Sequence, residues 1–294
     1  MTTSELRATR AETVRDRLMD GLPVTERRLQ LAGVSTVVLE GGDGPPMVLL
    51  HGPGEYGPKW FPVLPDLVTT YRVIAPDLPG HGESGVMDDP GLDQMLAWVD
   101  DLIDCTCSTP PVLVGHVIGG AIAARYASAR GERVKSLVLV DALGLAPFQP
   151  RPDFGQALSA YLTKPSEETH EDLWRVCSYN LDALQGRLGD RWRDVEAYNL
   201  DRIRVPELFG ALHAIMERYG FPAIPEDELR RITVPVSLIW GRHDLATPLT
   251  VAEGASKRYG WPLRVVENAA DDPVMDQPRA FIATLRATVA SGGV

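Results

Sequence analysis

Five short segments of this chain carry the residue types that proton transfer and nucleophilic attack require. They are His51-Gly52-Pro53-Gly54, Asp77-Leu78-Pro79-Gly80-His81-Gly82-Glu83-Ser84, Gly115-His116-Val117-Ile118-Gly119-Gly120, Trp240-Gly241-Arg242-His243-Asp244 and Asn268-Ala269-Ala270-Asp271-Asp272-Pro273. Imidazoles and carboxyls exchange protons near neutral pH once their surroundings tune them. The acid–base candidates are therefore Asp244, Asp271, His81 and His116, with Asp272 beside them. The candidates for holding a small molecule are His51, Gly52, Pro53, Gly54, Glu55, Lys59, Trp60, Val117 and Ile118. Each also has a plainer reading: the histidines as struts that tie loops together, and Glu55 to Trp60 as a solvated loop entering a helix. No two histidines have the spacing of a zinc site, and no metal or cofactor is implied.

Composition limits the partners. The chain has 294 residues, of which 44% are hydrophobic and 23% charged, so it is a folded protein of one large or two ordinary domains. With 29 Lys and Arg against 40 Asp and Glu, its formal charge of -11 repels phosphate backbones and anionic membranes. A small molecule is the expected partner. The first residues carry charges of both signs and no apolar run, so no signal peptide is expected there. The uncharged stretch Ser108 to Ala124 is broken by Pro110, Pro111 and several glycines, so no membrane span is expected. Three cysteines form neither a disulfide framework nor a CxxC pair, which fits a reducing cytoplasm.

These segments must be positioned by regular elements. The spacing of Leu6, Ala11, Val14 and Leu18 predicts a surface helix over 4–19, packed on its own chain or, as the alternative, against a second copy in a homodimer. Strands are expected at 24–31, 34–39, 47–50, 71–75, 112–114, 134–140, 234–240 and 263–266. Helices are expected at 59–67, 92–103, 118–129, 251–259 and 279–289. This alternation implies a parallel sheet covered on both faces. From about Pro147 to Ile224 only helical periodicity remains, which reads as an inserted cap. Its Trp174, Tyr179, Trp192 and Tyr198 are candidate walls for a flat apolar ligand. Gly80 to Gly85 also satisfies G-x-G-x-x-G, but it runs into a loop and Glu83 would oppose a pyrophosphate, so dinucleotide binding is set aside.

Taken in order, the His-Gly, Asp77–Ser84, Gly115–Gly120 and Trp240–Asp244 segments resemble those of the α/β-hydrolase superfamily. The resemblance covers roughly 30–145 and 230–290. It implies an α/β fold, with residues 1–146 and 226–294 as a mostly parallel sheet flanked by helices, plus an N-terminal helix, and 147–225 as a helical cap. The family's nucleophile sits on a sharp strand–turn–helix elbow, G-x-S-x-G. Here the elbow glycines remain but the position holds Val117, which has no attacking atom. At the family's histidine position stands Asp271, and only the acid position, Asp244, matches. One oxyanion donor is expected from Ile118; Pro53 has no N–H, so the second must come from Gly54 or be absent.

Three function classes follow. One is a non-hydrolytic enzyme acting on an apolar or aromatic molecule, as in biosynthesis, by cofactor-free acid–base chemistry: a lyase, cyclase, isomerase or carbon–carbon bond former. Another is a non-catalytic ligand-binding pseudohydrolase. The third is a hydrolase that activates water without an acyl-enzyme. Asp244 and Asp271 are expected to face one another, so that one holds its proton above the ordinary range near 3.9.

Overall fold

Short apolar runs bounded by turn residues build the sheet. The computed structural model describes residues 14–88 and 90–291. Its strands are β1 (Thr25–Leu31), β2 (Val34–Gly41), β3 (Pro46–Leu50), β4 (Arg72–Pro76), β5 (Val112–His116), β6 (Ser136–Val140), β7 (Val236–Gly241) and β8 (Leu263–Val266). They form one sheet in the order β1-β2-β4-β3-β5-β6-β7-β8. The β1–β2 and β2–β4 pairs are antiparallel, and the rest are parallel. The central strands are buried on both faces, which explains why they read as continuous apolar runs. Val48 and Leu50 of β3 pack with Trp98 and Tyr126 on one face, while Met47 and Leu49 pack with Trp60 and Phe281 on the other.

Helices α1 (Leu92–Thr106) and α2 (Ile118–Ala129) follow the β4 and β5 segments. The cap helices α3 (Pro152–Thr163), α4 (Glu167–Cys177), α5 (Leu181–Leu188), α6 (Asp190–Ile203) and α7 (Pro206–Ile215) lie between β6 and β7. Helices α8 (Leu249–Tyr259) and α9 (Pro278–Ser291) complete the core. Among the described residues no helix is long and apolar enough to cross a membrane. One expected helix fails: 59–67 is a 3-10 turn at Gly57–Trp60 and a single turn at Leu64–Leu67. Pro62 and Pro65 remove backbone donors from the middle of that span.

Of the expected N-terminal helix, residues 4–13 lie outside the described part, and 14–19 are helical. Val14 and Leu18 pack against Tyr56, Leu184, Trp192 and Tyr198, so this helix joins core to cap. Arg15 drives the junction deeper. Its guanidinium pairs with Asp77 at 3.0 Å and donates to the Tyr198 hydroxyl at 3.2 Å. Asp77 also accepts from the Gly57 and Glu83 amides at 2.6 and 2.8 Å. Thus the Asp77–Ser84 loop is held from the core, the N-terminal helix and cap helix α6 together. The cap presses close to it: a Cβ on Gly80 would meet the Ala211 side chain at 2.3 Å.

The turn from β5 to α2 is shaped by close backbone approach. Val117 sits there at φ 47° and ψ -107°. A β-branched residue at positive φ stores about 1–3 kcal/mol of strain, which surrounding structure must impose. That structure is visible: Val117 N–H donates to Val140 at 3.0 Å, and Gly119 N–H donates to the His51 carbonyl at 3.1 Å. The elbow glycines are required by space. A Cβ on Gly119 would lie 2.4 Å from the Leu50 oxygen, and one on Gly115 2.4 Å from the Gly119 oxygen.

Gly119→Ala is therefore expected to lower stability in urea denaturation by about 1–3 kcal/mol through overpacking. Gly186, in α5, meets nothing within 4 Å; Gly186→Ala is expected to raise stability by about 0.4–1 kcal/mol. A Gly119→Ala protein as stable as the parent would contradict the packing account of the elbow.

Candidate active site

The cap covers a cavity of about 230 Å³ at the carboxyl ends of the strands. Its upper walls are apolar: Phe154, Leu158 and Tyr161 from α3, Trp174 from α4, Phe209 and Leu212 from α7, and Phe221 after it. Val117 and Leu143 line it from the core side. From the core come the polar groups Glu55, His81, His116, Asp271 and Asp272, near Cys177 of the cap, and the cap adds His170, Asn199, Arg202 and His213. Pro53 and Gly54 also line it.

The three histidines near this floor differ by their hydrogen bonds. The Leu78 amide donates to His51 Nε2 at 2.9 Å, so the ring proton sits on Nδ1 and donates to the Gly52 carbonyl at 2.7 Å. Both ring nitrogens are engaged, and burial lowers the imidazole pKa to about 3. His51 is a neutral strut, not a ligand contact. His81 has one free side. Its Nδ1 donates to the Pro79 carbonyl at 3.0 Å, and Nε2 is buried with no partner among the described residues. Burial pushes its pKa down too, so Nε2 is a lone-pair acceptor on a cavity-lining ring. His116 Nε2 donates to the Asp271 carbonyl at 2.8 Å, and its Nδ1 accepts from Lys59 Nζ at 2.9 Å.

Lys59 organises the charges behind the wall. Its ammonium also donates to Glu55 Oε1 at 3.1 Å and Asp272 Oδ2 at 3.2 Å, so all three protons have acceptors. Burial works against that charge, but Asp272 and Glu55 outweigh it and hold the ammonium above the usual lysine range. Burial likewise works against the Glu55 carboxylate; Lys59 and then His116 outweigh it and hold its pKa below the ordinary range. Asp272 Oδ1 meanwhile caps the short helix Pro273–Asp276 through the Met275 amide at 3.1 Å.

Beside this compensated group stand carboxyls with no cation. Burial, then the charges of Asp244 and Asp272, raise the Asp271 pKa well above the carboxylate range. Its Oδ1 is buried with no partner among the described residues. The Cys177 thiol bonds to the Asp271 side chain, and burial followed by Asp271 pushes that thiol up, so it remains protonated. Asp244 Oδ1 accepts from the Ala246 and Thr247 amides, each at 2.8 Å. Burial lifts Asp244 to about 7 against those bonds. Its second oxygen meets Asp141, whose Oδ1 accepts from Gly241 at 2.8 Å. Neither Oδ2 has an N–H donor among the described residues, and burial followed by the Asp244 charge raises the Asp141 pKa well above the carboxylate range.

The sequence-derived site is thus partly redrawn. Pro53, Gly54, Glu55, His81, His116, Val117 and Asp271 line the cavity. His51, Gly52, Lys59, Trp60 and Ile118 lie behind its wall. Gly52 donates its amide to Glu55 Oε2 at 2.5 Å, and Lys59 is buried among its acceptors. Trp60 packs on Phe281 and the His116 ring in the lower core, and Ile118 packs in the opposite core. Asp244 also sits behind the wall; its bonded partner is Asp141, while Asp271 interacts with it through charge alone. Of the four cap aromatics expected as walls, Trp174 alone lines the cavity. Tyr179 is exposed against His243, and Trp192 and Tyr198 pack on the N-terminal helix. Sequence reading missed Asp141 and Cys177. Asp141 ends the run Val138-Leu139-Val140, and strand-end position could have marked it; nothing local marks Cys177.

Comparison with known proteins agrees with this architecture. The family model described as alpha/beta hydrolase fold matches residues 45–276. The pimeloyl-(acyl-carrier protein) methyl ester esterase of Aeromonas salmonicida is 28% identical over 253 residues, 83% of this chain and 95% of that protein. The 2-hydroxy-6-oxo-6-(2'-aminophenyl)hexa-2,4-dienoic acid hydrolase of Metapseudomonas resinovorans is 27% identical over 77% of each chain. Among solved structures, the 2-hydroxy-6-oxo-6-phenylhexa-2,4-dienoate hydrolase of a Rhodococcus strain superposes with a TM-score of 0.79 at 23% identity, covering 92% of this chain and 99% of that one. These relatives are esterases and hydrolases, not lyases or cyclases. With the sheet order, the elbow and the family match in agreement, the chain belongs to the α/β-hydrolase fold family.

Proposed function

We propose that this chain is a cofactor-free acid–base catalyst that acts on a largely apolar small molecule without forming an acyl-enzyme. The observation that carries this reading is Val117 at the elbow, where an isopropyl group faces the cavity instead of an attacking oxygen or sulfur. In the same cavity the Asp271 carboxyl holds a proton it can give, and His81 Nε2 holds a lone pair that can take one. A proton given at one substrate atom and taken at another leaves the formula unchanged or breaks a bond by elimination. Isomerases, cyclases and lyases use such steps. The apolar walls support an aromatic or aliphatic body, with one polar end directed at Asp271 and His81. Glu55, Lys59, His116 and Asp272 hold the acid in place from behind.

A second reading has support from the relatives. Hydrolysis remains open to this site if Asp271 or His81 activates water directly, and the relatives named above are esterases and hydrolases. Both readings share the absence of a covalent intermediate, because a valine cannot form one.

Incubation with a fluorophosphonate probe is expected to label no serine, and p-nitrophenyl esters to give no burst. Val117→Ser alone is expected to restore neither, since Asp271 stands at the family's histidine position and His116 is already bonded to Lys59 and the Asp271 carbonyl. Labelling of the parent protein, or a single-site rescue, would sink the reading.

The proton on Asp271 has a thermodynamic signature. A carboxyl whose folded pKa is raised stabilises the fold fully below its unfolded pKa, near 3.9, and loses that contribution as pH rises through the folded value. With Asp244 lifted to about 7 and Asp141 and Asp271 raised as well, stability is expected to fall between about pH 4 and pH 8. Each group still protonated contributes a slope of at most about 1.4 kcal/mol per pH unit. Glu55, held low, acts with opposite sign only below about pH 4, whereas His51 and His81, held neutral by burial, add stability as pH rises toward about 6.5 and offset part of the decline. Urea denaturation across this range checks the decline, and Asp271→Asn is expected to flatten it. A mutant profile as steep as the parent's would remove the proton from Asp271.

A further inference from the structure

The polar side of the cavity has more acceptors than donors and more negative than positive charge. Four buried side-chain atoms on its lining lack a hydrogen-bond partner among the described residues: His81 Nε2 and Asp271 Oδ1 on the core side, and His170 Nδ1 and Arg202 Nε on the cap. His81 is 3% exposed, and its other nitrogen is already bonded to Pro79. The free nitrogen is therefore an acceptor, and a ligand group that meets it must bring a hydrogen. Asp271 Oδ1 accepts in the same way once its carboxyl ionises.

The charges around these two atoms point the same way. Glu55 and Asp272 share the single ammonium of Lys59, with His116 Nδ1 also 3.2 Å from Glu55 Oε2, so carboxylates outnumber lysines in this group. Behind the wall, the buried carboxyls of Asp141 and Asp244 accept only from backbone amides and have no Lys or Arg partner among the described residues. Arg202 is the one Lys or Arg among the described cavity-lining residues. It is committed to Glu83 at 3.2 Å, and it also donates to the Gly82 carbonyl at 3.4 Å. Its Nε has no partner among the described residues, but the adjacent Glu83 carboxylate neutralises the guanidinium toward an incoming anion. A ligand carboxylate would thus face the carboxylates of Glu55 and Asp272, with Lys59 and Arg202 already committed to carboxylates of the chain. An ammonium finds acceptors and a negative field in a cavity whose lining also includes the aromatic rings of Tyr161 and Trp174.

We propose that the cavity selects an apolar amine in its protonated form, with the ammonium group donating to Asp271 and His81 and the hydrocarbon body against the cap. This rests on the cavity being the ligand site, as in the function proposed above, but not on the reaction performed there. Ammonium binding supplies the missing counter-charge, so Asp271 releases its proton when the ligand enters. Asp271 then acts as a specificity-determining residue as well as an acid.

The test uses three probes of one shape on the full chain at pH 7: phenylpropylamine, phenylpropanol and phenylpropionate, by isothermal titration calorimetry. The amine is expected to bind at least tenfold more tightly than the alcohol, with the carboxylate weakest. Repeating the amine titration in buffers of different ionisation enthalpy is expected to reveal proton release. Asp271→Asn is expected to bring amine and alcohol within about threefold and to abolish that release. The ranking of the three probes on the parent protein stands without the variant. Equal affinities, a carboxylate that binds as tightly as the amine, or no binding by any of the three overturns the proposal. Failure here leaves the absence of an acyl-enzyme untouched, whereas a labelled serine would end the catalytic reading and leave the amine preference standing.

Discussion

A single buried ammonium, that of Lys59, sets the electrostatics on which the site depends. Its three N–H groups meet Glu55, His116 and Asp272 at 2.9–3.2 Å. A buried lysine is tolerated only when its charge is matched and its protons are bonded. Here Glu55 and Asp272 match it, and the ammonium in turn holds Glu55 in its ionised form. Asp271 has no such partner. Placed among Asp244, Asp272 and Asp276 without a cation, it keeps its proton. One cation among many carboxyls therefore decides which of them is a base and which an acid.

The elbow illustrates how shape outlasts chemistry. Gly115, Gly119 and Gly120 are required by contacts with the Gly119 oxygen, the Leu50 oxygen and the Ala142 side chain. These contacts concern the passage of β5 into α2 beneath the cavity, and they hold whatever side chain stands at the tip. Valine there bears the backbone strain without the reactive atom that the turn presents elsewhere in the family. The strain is maintained by hydrogen bonds from Val117 and Gly119 to neighbouring strands and loops, so it persists without a catalytic role for Val117.

The cap makes the site dry and ties it to the rest of the chain. Arg15, Asp77, Tyr198 and Glu83 form one buried chain of contacts from the N-terminal helix through the loop carrying His81 to cap helix α6. Motion of the cap therefore strains the loop that positions His81. The same enclosure depresses the His51 and His81 pKa values and raises those of Asp141, Asp244 and Asp271, because each charge loses its water.

The sequence by itself determined the order and identity of the elements. Apolar runs of four to six residues between turn signals are local facts, and so is the loss of an attacking atom at Val117. The helix over 59–67 failed because Pro62 and Pro65 outweighed the apolar spacing around them. Only the tertiary structure decided which groups act. Lys59 reaches Asp272 across 213 positions, and Arg15 reaches Tyr198 across 183. Asp141, not Asp271, turned out to be bonded to Asp244, and His51 and Trp60, expected to touch ligand, became a strut and a core ring. Spacing along a chain carries the geometry of a helix, a strand or a turn. It carries neither burial nor the distance between remote charges, and those two quantities set the protonation state of every carboxyl and histidine in this site.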